Sequence, residues 1–216
     1  MNSHRVAPNV ELDIPERVHT TLVRWFPRRV ADALATEATI LIYALASWDR
    51  RPYVRPGTTP YTAHQKSGRL GILYTIAALG VIEILIVDLV VHQRHHVVAN
   101  VLIVAGIFGA IWTVGFARAI QLRPILLDDT MLSLRVGVQW SIDVPRSNIA
   151  SVELQPARVT SEKTTSADLR LVTQPNVQLT LHAAQSVRAA YGSQRSVMRI
   201  AFAVDDIKKF SAQINN

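Results

Sequence analysis

The stretch "GVIEILIVDLVVHQRHH", residues 80–96, sets two carboxylates, Glu83 and Asp88, in an apolar run and closes it with three histidines and an arginine. An ionised carboxylate deep in a hydrocarbon layer costs about 2.5 to 3.5 kcal/mol, so an acid kept there faces protein or water, or is held protonated. Burial itself favours the neutral acid. The chemistry open to Glu83 is therefore that of a proton or cation site, a contact to a partner helix, or a protonated group bonded to a backbone carbonyl. It stands about nine residues, roughly 13 Å of helix, from the polar turn, while Asp88 lies nearer the surface. The two are about 140° apart around a helix, so they serve separate sites.

If the turn centres on Arg94, residues equidistant from it face each other: Asp88 with Asn100, and Glu83 with Ala105 or Gly106. Asn100 is the only amide in the second apolar run, and an Asp88–Asn100 contact is expected. His92 lies one turn from Asp88 and can pair with it when protonated. His92, His95 and His96 with Asp88 invite a metal reading. Against it, adjacent His95 and His96 cannot both point into one site without a strained turn, and the chain has no cysteine. Solvated headgroup contacts are the expectation, with no metal and no other cofactor. In "AGIFGA", Ala105 with Gly109 and Gly106 with Ala110 are small-xxx-small pairs that let helices approach closely, within the hairpin or between copies.

The elements that must position these residues are two apolar helices, 70–92 and 97–117. Each is long enough to cross a hydrocarbon layer of about 30 Å, and the polar "HQRHH" turn joins them. Residues 1–69 carry ten Lys/Arg against six Asp/Glu, and residues 118–216 twelve against eight. Both flanks are thus positive, which predicts cytoplasmic termini and an external turn in a multi-pass protein of the cell's plasma or inner membrane. The basic pI of about 10.2 belongs with that topology. No aromatic and basic interleaving suited to nucleic acid is present.

Residues 1–69 read as a cytoplasmic segment with a loose tail to 14, an amphipathic helix after Pro15, and an interfacial or packed helix at 30–48. Arg24, Trp25, Arg28 and Arg29, then Arg50 and Arg51, are placed to meet anionic headgroups, with Arg55, Lys66 and Arg69 nearby. Each basic residue near such a leaflet adds about 1 kcal/mol of attraction. The same charges also hold the segment inside.

After residue 118 the pattern changes to short β-rich runs, "RPILLDD", "MLSLRVG", "VQWSIDV", "IASVELQ", "LRLVT", "VQLTLHA" and "VMRIAFAV", and a final amphipathic helix with Ile207, Phe210 and Ile214 on one stripe. That order, with the wording "LRPILLDDTMLSLRVGVQWSIDVPRSNIASVEL", resembles the bacterial pleckstrin-homology-like domains carried on two-helix membrane hairpins. The resemblance covers residues 123–214. It implies an α+β membrane protein: a transmembrane hairpin, then a strongly bent seven-stranded sheet capped by the C-terminal helix, in a family whose members mostly have no established activity. Eukaryotic relatives of the fold bind headgroups through a basic first hairpin; here that turn is "LDDT", acidic, and the site does not carry over. Arg188, Arg195 and Arg199, in or beside "AAQSVRAAYGSQRS", read as a long loop for a ligand or partner.

No catalytic constellation is found, which points to a non-enzymatic protein. The expectation is a membrane-anchored scaffold or interaction module, with the lipid bilayer and either a protein partner or further copies of itself as its contacts. The second reading is a small component handling protons, ions or lipid, centred on Glu83.

Overall fold

A computed structural model describes residues 13–65, 68–156, 166–169 and 174–214. The first helix, α1 (Ile14–Leu22), starts where Asp13 caps it and Pro15 supplies a preset first turn. Asp13 is therefore an ordered and deeply buried residue, not part of a loose tail. Pro27 ends the intervening turn and α2 (Arg28–Ala46) follows, two residues ahead of the expected span. Its inner stripe, Ala31, Ala35, Thr39, Ile40, Tyr43 and Ala44, is buried. α2 is thus a packed helix, and among the described residues only α3 (Arg69–Val91) and α4 (His96–Leu122) are long and apolar enough to cross a membrane.

α2 lies along the C-terminal half of α4. Trp112 Nε1 donates to Glu37 Oε2 at 3.0 Å, Gly115 sits beneath Ile40, Tyr43 packs with Ala119 and Leu122, and Arg118 Nη2 donates to Ser47 O at 2.8 Å. Numbers rise together on both helices, so they run in the same direction. α1 runs back along α2, with Asp13 near Tyr43 and His19 near Asp32. The α1–α2 connection therefore lies toward the α3–α4 turn.

Among the described residues the sheet has eight strands: β1 (Thr59–Tyr61), β2 (Ile125–Leu127), β3 (Met131–Val136), β4 (Trp140–Pro145), β5 (Ile149–Leu154), β6 (Ser166–Asp168), β7 (Val177–Ala189) and β8 (Gln194–Phe202). Their order is β1-β2-β3-β4-β7-β8-β6, with β5 paired to β7, and the sheet is open. All neighbours are antiparallel except β6 with β8. Six of the seven expected β-rich runs correspond to β2–β5, β7 and β8; "LRLVT" does not match β6, which ends just before it at Asp168, and all of that run but Leu169 lies outside the described residues. β1 is a further strand, drawn from the segment that precedes the hairpin. Val177, Leu179 and Leu181 on β7 and Ile200 and Phe202 on β8 are buried, as their alternation requires. α5 (Ile207–Ile214), capped by Asp206, sets Phe210 edge-on against Tyr61 and Phe202.

The long loop expected at 183–196 is not a loop. β7 continues to Ala189 and β8 begins at Gln194, joined by a turn in which Tyr191 and Gly192 take positive φ. Val187 and Val197 are buried in the core, and those two side chains make the stretch a strand pair despite its small and polar neighbours.

Candidate functional site

Outside the α2 contact, α3 and α4 expose apolar side chains all round. Leu85, Leu89, Val101 and Val104 are each about two-thirds exposed. The helices meet closely at Gly106, where an added Cβ would stand 2.6 Å from Ile84 Cγ1. Gly106, Gly109 and Ala110 line an open groove of about 550 Å³ with Glu83, and Ala105 does not. Glu83 is exposed in that groove and has no hydrogen bond or ion pair among the described residues.

The expected Asp88–Asn100 contact is not formed. Both residues are exposed, and it is Ala99 that is fully buried at that level of α4. The helix register turns the methyl group of Ala99 inward and the amide outward. Asp88 does pair with His92, at 3.3 Å along its own helix. The rings of His92 and His96 lie 6.3 Å apart. Among the described residues no cluster of three or more His, Asp or Glu could hold a metal ion.

The α1–α2 connection carries the aromatic and basic residues singled out for headgroup contact. Trp25 is 80% exposed, Phe26 is exposed, and Arg24, Arg28 and Arg29 flank them. Arg50 and Arg51 are exposed beyond the other end of α2, where Arg50 Nε donates to Ala46 O. Arg55 is half-buried, Arg69 is 2% exposed, and Lys66 lies outside the described residues.

The residues that sequence reasoning missed form an ionic junction between the N-terminal helices and the sheet. Asp13, Arg123 and Arg135 are each 3 to 4% exposed. Arg123 Nε donates to Asp13 Oδ2 at 2.7 Å, and Arg123 Nη1 donates to Gly137 O. Arg135 Nη1 is 3.5 Å from the same carboxylate oxygen, and the Arg135 guanidinium lies over the Tyr53 ring at 5.2 Å. Tyr43 donates to Asp13 Oδ1 at 3.4 Å. Burial, then the Asp13 charge, pushes the Tyr43 hydroxyl well up, and burial, then the Arg123 guanidinium, pushes Arg135 down. A signal did exist in the sequence. Asp13 two residues before Pro15 is a helix start, and Arg135 alternates with Leu134 and Val136 on a strand whose second face must also be covered.

A second ionic set joins the same layers. Asp32 Oδ1 is 2.7 Å from His19 Nε2 and accepts from Arg188 Nη2 at 2.7 Å, while Tyr191 donates its hydroxyl to Glu37 at 2.7 Å. The three arginines expected to share one loop are thus dispersed. Arg188 faces α2, whereas Arg195, opposite Val187 in register, takes the other sheet face and covers the Trp140 ring at 4.8 Å. Arg199 is half-buried between β7 and β6.

Compared with protein-family models, with characterised proteins and with solved structures, the chain matches none. Its architecture is α+β: two apolar, little-buried helices packed together, then an open mixed sheet and a C-terminal helix.

Proposed function

We propose that the chain is an integral membrane protein of the cell's plasma or inner membrane. The α3–α4 hairpin anchors a cytoplasmic pleckstrin-homology-like domain that works as a scaffold or interaction module without catalysis. One observation carries this reading: outside the α2 contact the hairpin's apolar side chains are exposed, and its two runs are long enough to cross a bilayer. Surface of that extent is covered in a folded protein by lipid or by another chain. The pleckstrin-homology-like reading draws on the strand order followed by α5. The edges at β1 and β6, unpaired among the described residues, are where an extended segment of a partner could add a strand.

The test uses the absence of cysteine. Single-cysteine variants Arg94→Cys and Ser196→Cys are exposed to an impermeant maleimide on whole cells. Labelling of Arg94→Cys alone, with Ser196→Cys reacting only after permeabilisation and the chain resisting carbonate extraction, is the expected outcome. Release by carbonate, or labelling of both sites from outside, ends the proposal.

The position of Glu83, exposed in a groove without a partner among the described residues, favours one second reading, in which the hairpin handles protons or ions. Glu83→Gln keeps size and hydrogen bonding while removing the proton site. Unchanged proton flux in vesicles carrying this variant would dismiss that reading and leave helix packing as the role of the groove.

A further inference from the structure

Beside the ionic junction, an open cavity of about 400 Å³ lies between the N-terminal helices and the sheet. Residues of α1 and α2 form one wall, residues of β4 and β7 the other, and Arg123 also lines it. Two polar groups on the wall are almost wholly buried: Thr39, 1% exposed, and Arg123, 4% exposed. Thr39 Oγ1 has no hydrogen-bond partner among the described residues. Arg123 commits Nε to Asp13 and Nη1 to Gly137 O, and Nη2 has no partner among the described residues. A buried hydroxyl left unpaired is destabilising, and Arg123 keeps a spare N–H on the same cavity wall, so an acceptor from outside the chain would satisfy both.

The charge pattern says which kind of acceptor. Arg135 adds a second buried guanidinium to that of Arg123, and the two share the single carboxylate of Asp13. Three further acids line the cavity. Asp32 is already engaged by Arg188 and His19, while Glu16 and Asp143 are exposed, where solvent screens them. Arg123 is the one deeply buried charged residue among the described residues of the wall, and with Arg135 behind it the buried charge there is positive. Donors reach the cavity from separate elements, which suits the several oxygens of a phosphate group, and the volume exceeds that of a bare anion.

We propose that this cavity binds a phosphate ester, whose anionic oxygens accept from Arg123 Nη2 and Thr39 Oγ1, with Ser141 and Arg188 as further donors. The ligand joins α2, β4 and β7, and so locks the N-terminal helices onto the sheet. This site is independent of whether the hairpin spans a membrane.

The experiment is thermal unfolding of the full-length chain in detergent, titrated separately with inorganic phosphate, glycerol 1-phosphate and short-chain phosphatidic acid. The expected result is a Tm that rises with concentration of at least one of them. Response to the soluble phosphates assigns a free ester, and response to phosphatidic acid alone assigns a lipid headgroup. Thr39→Val is nearly the same shape and removes the unpaired hydroxyl, so without ligand its Tm should be equal or higher. Its apparent affinity should fall roughly tenfold, as loss of a hydrogen bond to a charged group predicts. The proposal is overturned if no phosphate compound shifts the Tm, or if the shift is the same in Thr39→Val, as a salt excluded from the surface would cause. It is equally overturned if Thr39→Val unfolds earlier without ligand, or if magnesium or ethylammonium ions stabilise the chain and phosphate does not.

Discussion

Asp13 is one carboxylate facing two buried guanidinium groups, and this imbalance makes it the residue whose loss the fold should feel most. Asp13→Asn keeps the helix cap but leaves Arg123 and Arg135 without their counter-charge, and breaking a buried pair in this way costs about 3 to 5 kcal/mol. Denaturant unfolding in detergent should show a loss of that order; a loss under about 1 kcal/mol would mean that other groups hold the arginines. Asp128 presents a milder case. Its carboxylate accepts from Thr130 N, Thr130 Oγ1 and Met131 N at 2.7 to 2.8 Å, so the acidic pair closes the β2–β3 turn without glycine. Partial burial pushes this carboxyl up, but the Thr130 and Met131 donors together outweigh it and hold it below the usual range. A lowered folded-state value means that its contribution is complete above the ordinary carboxylate range and is lost as pH falls through the folded-state value. The stability difference between the protein and Asp128→Ala should therefore be about 1 kcal/mol near neutrality and shrink on acidification. A difference independent of pH would contradict the assignment.

At the scale of elements, the α2–α4 contact decides the arrangement, and it depends on Gly115. An added Cβ there would collide with Ile40 O and press on Ala44 Cβ at 3.1 Å. The obstacle is backbone, which cannot rotate away, so Gly115→Ala should lose about 1 to 3 kcal/mol by overpacking. Equal unfolding midpoints for the two proteins would show that α2 does not pack this closely. Small residues inside and outside the expected stretch 105–110 thus serve two neighbours of α4. Gly106 admits Ile84 of α3, and Gly115, farther along, admits α2. Periodicity in α2 showed a helix with an apolar side but not what that side meets, because helical spacing is the same whether the neighbour is lipid or protein.

For the whole molecule, the parallel course of α2 and α4 places the Trp25 and Phe26 tip on the side from which the apolar hairpin projects. If the hairpin inserts as proposed, the tip is carried toward the lipid, where an aromatic ring between basic residues is favourable at headgroup level. A variant that keeps Trp25 as its sole tryptophan should show blue-shifted emission in anionic bilayers and quenching by brominated lipids. Solvent-like emission in those bilayers would place the tip away from the lipid.

The sequence by itself determined the elements whose signal is local. The two apolar helices follow from length and hydropathy, β2 through β5, β7 and β8 from alternation, and α5 from its stripe and cap, since each depends on neighbours within a turn or a strand repeat. Glu83 could be recognised as exceptional for the same reason, by the contrast with its own helix. Only the tertiary structure decided what those elements meet. The pairing of Asp13 with Arg123 and Arg135, the seat of Asp32 between His19 and Arg188, and the strand added at residues 59–61 all join residues far apart in the chain. The loop expected at 183–196 became a strand pair because Val187 and Val197 gain burial only once the core exists. Asp88 missed Asn100 because helix register, not depth, sets which side chain turns inward. Charges and small residues carry no address in a sequence; their partners are set by the packing that surrounds them.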